Sequence, residues 1–212
     1  MIIGIGKSPL SEFIKRNFRY ENVYAYPEFF DNKVLLLENR DRAYIHYIKL
    51  LIRNLRKVKV ALWPDYTSLS KVQKVANLTL LKDISFVVPV HSLSDLQIVD
   101  ELRSNNFTVY TGYASDKKFR DYEINDFLKE AKRPVWYLGV STKKELRELL
   151  LYNFDGFDIT GYLLGRDGDR KDHDTLKRKL EELFRTVSKP QGRQTSLYDF
   201  VGNRVLNWGS SL

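Results

Sequence analysis

Two aspartates occupy positions where a carboxyl group could do chemistry. Asp158 lies within the run 156–160 (GFDIT), whose other residues read as a buried strand. A carboxylate there costs desolvation energy unless partners compensate it. Such strained carboxyls are candidates for catalysis. The structural alternative is an aspartate that caps the turn at Gly161. Asp65 stands in 63–67 (WPDYT), between Trp63 and Tyr66. A carboxylate flanked by aromatic rings can hydrogen-bond and stack against a planar base, or it can cap a helix beginning near Ser68. His91 follows the run 84–90 and is either an acid/base group or a solvated loop histidine. In 110–113 (YTGY), Gly112 beside Tyr113 would let a ligand approach the backbone closely.

Composition removes several chemistries. The 212 residues include no cysteine, so disulfides, thiolate nucleophiles, iron–sulfur clusters and Cys-ligated zinc are excluded. The three histidines, His46, His91 and His173, are far apart and lack ligand spacing. A His-based metal site is therefore not expected, a carboxylate-held magnesium stays open, and no organic cofactor is called for. No run reaches the ~18 consecutive apolar residues of a membrane span. The apolar start, 1–6 (MIIGIG), lacks a basic lead-in and reads as a first strand, which suggests the cytoplasm. A net charge of +8 favours a polyanionic partner, DNA or RNA, through phosphate attraction.

The elements that must position these groups alternate. Strands are expected at 2–5, 23–26, 34–37, 58–62, 84–90, 107–111, 135–139 and 156–160. Most are continuous apolar runs, as in parallel strands buried on both faces. Amphipathic helices are expected at 41–57, 68–81, 92–104, 121–132, 142–152 and 172–187. Ser92 with Asp95, and Thr142 with Glu145, have capping-box spacing, and Asp172 or Asp174 could cap the last helix. Eight strands with intervening helices imply an α/β fold, a (β/α)8 TIM-like barrel over residues 1–187. The connection 27–33 is too short for a helix, so the N-terminal third is expected to be incomplete or degenerate. An open Rossmann-like sheet is the alternative. In a barrel the C-terminal strand ends form the functional face, and Asp65, His91, Gly112 and Asp158 all belong to such ends.

Beyond these runs, the segment from Val135 to Asp158 (VWYLGVSTKKELRELLLYNFDGFD) resembles the YLMGVGTP…GVDMFDC region of the tRNA-guanine transglycosylases. Residues 84–113 are similar to that family's FGIVQG…GYAIGGL region, and 61–68 (ALWPDYTS) stand at its FDECTP-type turn. The resemblance spans about residues 40–165. It implies a pentosyltransferase that exchanges or removes a base in DNA or RNA. Asp158 would be the nucleophile on the ribose carbon and Asp65 the second catalytic, base-recognising carboxylate. Tyr66, His91, Gly112 and Tyr113 would lie against the base. The family's VQG glutamine, its DSGGFQ segment and its zinc lobe have no counterpart here.

A change of texture follows at 188–212, read as a flexible tail. After the polar stretch 188–196 (SKPQGRQTS), Gln194, Leu197 and Phe200 match the sliding-clamp peptide Q-x-x-aliphatic-x-x-aromatic-aromatic, with Val201 in place of the second aromatic. This resemblance implies a PCNA-like clamp as partner in replication or repair. The other readings are an inactive clamp- or DNA-binding barrel, and a small-molecule barrel enzyme with an incidental tail. Gly6-Lys7-Ser8 ends like a phosphate-binding loop, but the first glycine of that motif would fall on Met1.

Overall fold

A computed structural model describes residues 1–31, 40–165 and 167–188. The strands are β1 (Ile2–Ile5), β2 (Val23–Ala25), β3 (Phe29–Phe30), β4 (Val60–Leu62), β5 (Ser85–Val90), β6 (Thr108–Ala114), β7 (Val135–Val140) and β8 (Gly156–Ile159). They pair in parallel in the order β2-β1-β8-β7-β6-β5-β4-β3. That is the cyclic order of a (β/α) barrel with a seam between β2 and β3. An open doubly wound sheet reverses its order at a switch point, and no reversal occurs here. The fold is a TIM-like α/β barrel.

The seam explains the short N-terminal connection. Tyr26 N donates to Ile5 O (2.9 Å), whereas Glu28 O accepts from Lys59 N and Val60 N (2.9 and 3.0 Å). Between Tyr26 and Glu28 the chain leaves the β1 ladder and joins that of β4. A return to a parallel neighbour needs a crossover of about a dozen residues or more. β2 and β3 are thus successive pieces of one rising pass, serving both edges of the seam. The strand expected at 34–37 lies outside the described residues; the strand that pairs β4 is the shorter Phe29–Phe30.

The helices are α1 (Pro9–Asn17), α2 (Arg40–Asn54), α3 (Leu69–Gln73), α4 (Leu96–Ser104), α5 (Ile124–Glu130), α6 (Lys143–Leu151), α7 (Asp167–Lys171) and α8 (His173–Ser188). α1 is absent from the expected helices. Its signal is short: Ser8 caps it by accepting from Ser11 N, and Pro9 opens it. The helix expected over 68–81 divides into α3 and a 3-10 turn at Leu78–Leu81, which Asn77 caps through its bond from Thr79 N. The expected capping pairs form. Glu145 accepts from Thr142 N (2.8 Å) and Asp95 from Ser92 N (3.0 Å). Asp172 caps α8, accepting from Thr175 Oγ1 (2.7 Å). Among the described residues, no helix is long and apolar enough to cross a membrane.

Two cores flank the strands. Inside the barrel, Phe29 and Trp136 stack 5.5 Å apart, and Tyr110 meets Trp136 edge-on at 5.4 Å. Gly4 and Gly156 leave the room these rings fill: a β-carbon at Gly4 would stand 2.6 Å from Phe29, and one at Gly156 would collide with Trp136. Outside, apolar helix faces cover the strands, with Tyr113, Phe127, Tyr137 and Phe154 on one side and Ile48, Leu51, Trp63 and Phe86 on the other.

Candidate active site

The C-terminal ends of β3, β4, β5 and β8 bring Asp31, Asp65, His91 and Asp158 to one cavity of about 720 Å³ at the barrel mouth. The parallel arrangement does this without any sequence proximity, because every strand ends at the same rim. Asp158 and Asp65 therefore share a cavity. Neither plays the structural role that its local sequence allowed. The Asp158 carboxylate bonds Trp136 and Gly139, and Thr160 is the cap residue of the Gly161 turn; Ser68 rather than Asp65 is the cap residue of α3.

Asp158 lies half-buried on the cavity floor. Its Oδ1 accepts from Trp136 Nε1 (3.0 Å) and its Oδ2 from Gly139 N (3.1 Å). The second donor is supplied by a β-bulge. Pairing between β7 and β8 shifts register between Tyr137 and Val140. Gly139 sits there at φ +72°, a conformation that glycine adopts without strain. Burial pushes the Asp158 carboxyl up to about 7. The two donors hold it down, and the Asp31 carboxylate pushes it further up. A carboxyl poised there exchanges a proton at neutral pH.

Asp31 is the residue that sequence reasoning missed. It follows β3, and it shares two cavities with Asp158. Its carboxylate presses so closely on Gly6 that a β-carbon there would collide with it, and Lys7 N donates to its Oδ1 at 3.4 Å. Tyr47 of α2 fixes the neighbouring strand ends: its hydroxyl bonds Leu62 O (2.6 Å) and Phe30 O (3.2 Å). No local motif marks Asp31; its place follows only from the seam.

Asp65 and His91 form a buried pair, 7% and 8% exposed, with Asp65 Oδ1 2.7 Å from His91 Nε2. His91 Nδ1 lies 2.6 Å from Phe119 O. Both ring nitrogens thus face acceptors, which is satisfied when both carry protons. Burial pulls the imidazole down, but its hydrogen bond to Asp65, the Asp65 charge and the Phe119 carbonyl together raise it above its ordinary value. The pair is a strut between loops, with both His91 ring nitrogens engaged. Tyr66, 47% exposed and at φ +53°, lays its ring 4.9 Å from the His91 ring.

The other expected ligand contacts are not at the mouth. Tyr113 points to the helix side of the sheet, packed on Phe127 (5.3 Å) and Tyr137 (5.1 Å), where burial pushes its hydroxyl up to about 12. Gly112 faces the barrel interior a layer below the rim, where a β-carbon would stand 2.8 Å from Val88 O. Strand alternation sends these neighbours to opposite faces, so they cannot both meet one ligand. Gln194, Leu197 and Phe200 lie outside the described residues. Among the described residues, no group of three or more His, Asp or Glu side chains stands close enough to hold a metal ion.

A second cavity, of about 490 Å³, opens beside the first and shares Asp31, Asp158 and Thr160 with it. Lys7, Arg170, Lys171 and His173 line its other side. The mouth is therefore acidic over the barrel axis and basic towards α1 and α7.

No family model matches the chain. A curated protein does: "Uncharacterized protein ORF192" of Acidianus two-tailed virus is 44% identical over 197 residues, 93% of this chain and 98% of that protein. Among solved structures, thiamine phosphate pyrophosphorylase from Pyrococcus furiosus is similar at 17% identity and a TM-score of 0.45, over 86% of this chain and 96% of that one. These findings overturn the resemblance to tRNA-guanine transglycosylases. The matched structure is not a transglycosylase, and the matched sequence carries no such description.

Proposed function

The chain belongs to the family of the ORF192 protein of Acidianus two-tailed virus, and from its barrel mouth we propose an enzyme that performs general acid–base chemistry on a small molecule. The observation that carries this reading is the Asp31–Asp158 pair beside the shared cavities, with the Asp158 carboxyl held near neutrality. A carboxyl held near neutrality and a second carboxylate at the same cavity can divide the roles of acid and base between them. Asp158 donates the proton, and the Asp31 carboxylate faces the same ligand as the base. The Asp65–His91 strut holds the opposite rim, and Tyr66 offers an exposed ring beside it.

The test compares the full-length protein with Asp158→Asn in a metabolite extract made up in deuterium oxide and followed by mass spectrometry. The wild type is expected to deplete or deuterate a compound that the variant leaves alone. Identical extracts, with the variant folded by circular dichroism, would sink the proposal.

The net charge of +8 favours a second reading, a polyanionic nucleic-acid partner. Binding to duplex DNA or RNA would then weaken steeply as salt rises. Affinity that ignores salt would dismiss it.

A further inference from the structure

We propose that the smaller cavity beside Asp158 is a binding site for the phosphate of a small phosphate monoester, held by Lys7, Arg170 and Lys171 where α1 begins. This deepens the acid–base reading and rests on it for one point, that the rest of the ligand lies over Asp158.

Three features converge on an oxyanion. The cations come from stretches far apart in sequence, Lys7 from the end of β1 and Arg170 and Lys171 from α7, yet they line one cavity of about 490 Å³. α1 starts at the same wall, and a helix start carries partial positive charge; Pro9 has no N–H and Ser8 takes that of Ser11, so the start contributes mainly its dipole. At Gly161, a β-carbon would stand 2.6 Å from Arg170 Nη1, so the missing side chain is what lets the guanidinium lie along this loop. Arginine in such a fixed position offers a fork of donors matched to phosphate.

The acidic wall limits what fits. Asp31 and Asp158 border the cavity, so an anion must keep to the α1–α7 side, and the uncharged remainder of the ligand passes over the carboxyls into the 720 Å³ cavity. A monoester has that shape: one charged end and one neutral body.

The test uses the full chain, with ribose 5-phosphate as probe and ribose as its uncharged control, read by calorimetry and by backbone amide shifts at moderate salt. Ribose 5-phosphate should bind and shift the amides of Lys7, Ser8 and Gly161, while ribose should not. Lys7→Gln and Lys171→Gln should each weaken binding about tenfold. Asp158→Asn should keep the binding, so a failed acid–base reading and a failed phosphate site give different results. Equal shifts from both sugars, or undiminished affinity in both lysine variants, would overturn the proposal. Binding of a 5′-phosphorylated oligonucleotide without any of ribose 5-phosphate would overturn the small-ligand assignment.

Discussion

At the residue scale, the behaviour of Asp158 is a balance of named contacts. Trp136 Nε1 donates to the charged carboxylate, so its hydrogen bond favours ionisation. Trp136→Phe removes that donor and keeps a ring in the barrel. The Asp158 midpoint is expected to rise from about 7 by about one unit, readable in the carboxyl carbon shift; a midpoint that stays or falls contradicts the contact. The same group links stability to pH. Its folded value lies above the 3.8 of the free side chain, so the native state binds the proton more tightly than the unfolded chain does. Its stabilisation is complete below about 4 and is lost as pH rises to about 7. Asp158→Asn has no such slope. Between pH 5 and pH 8 the variant should gain on the wild type by up to about 3 kcal/mol, two units at ~1.4 kcal/mol each before solvent screening. Urea midpoints at the two pH values measure it.

At the element scale, the Asp65–His91 pair joins loops after β4, β5 and β6. Phe119 O receives the second imidazole proton, and His91 O accepts from Asp121 N (3.1 Å). Asp65→Asn removes the charge that raises the His91 imidazole. Because the folded imidazole is raised above 6.5, the pair stabilises fully below pH 6.5 and less as pH climbs through the raised value. The variant should lose about 1–3 kcal/mol at pH 6 and less at pH 9, with hydrogen exchange at Asp121 N accelerated. Unchanged exchange there would mean that the strut does not order the loop. Legibility also divides at this scale. Continuous apolar runs announced β4 to β8, and spaced Ser/Thr with Asp/Glu announced the starts of α4 and α6. What stayed illegible was short or non-local. β3 has too few residues to show a period, α1 has only Ser8 and Pro9 to mark it, and Asp31 gains its place beside Gly6 only across the seam. Asp65 and His91 were each visible as candidates, but their mutual bond, which spends both ring nitrogens, was not.

At the scale of the whole molecule, closure depends on a single pass of chain holding both edges of the seam. Phe29 anchors that pass, fully buried and stacked on Trp136 across the interior. Phe29→Ala leaves a cavity of aromatic size, which costs about 3–5 kcal/mol. The location of the damage discriminates between two architectures. If β2 and β3 were separate staves, loosening Phe29 would expose only the β4 side, the amides of Lys59 and Val60 that bond Glu28 O. If they are one pass, the kink at Tyr26–Glu28 transmits the loss, and the Tyr26 amide bonded to Ile5 O loses protection as well. Native-state hydrogen exchange reads all three amides in one experiment. Joint loss of protection is expected. Since Asp31 sits directly beyond this pass, the midpoint of Asp158 should shift downward in the same variant as the opposing carboxylate drifts away. A barrel that opens at Lys59 and Val60 alone, with Asp158 unmoved, would show that the two seam edges are held independently and that the site does not depend on the closure.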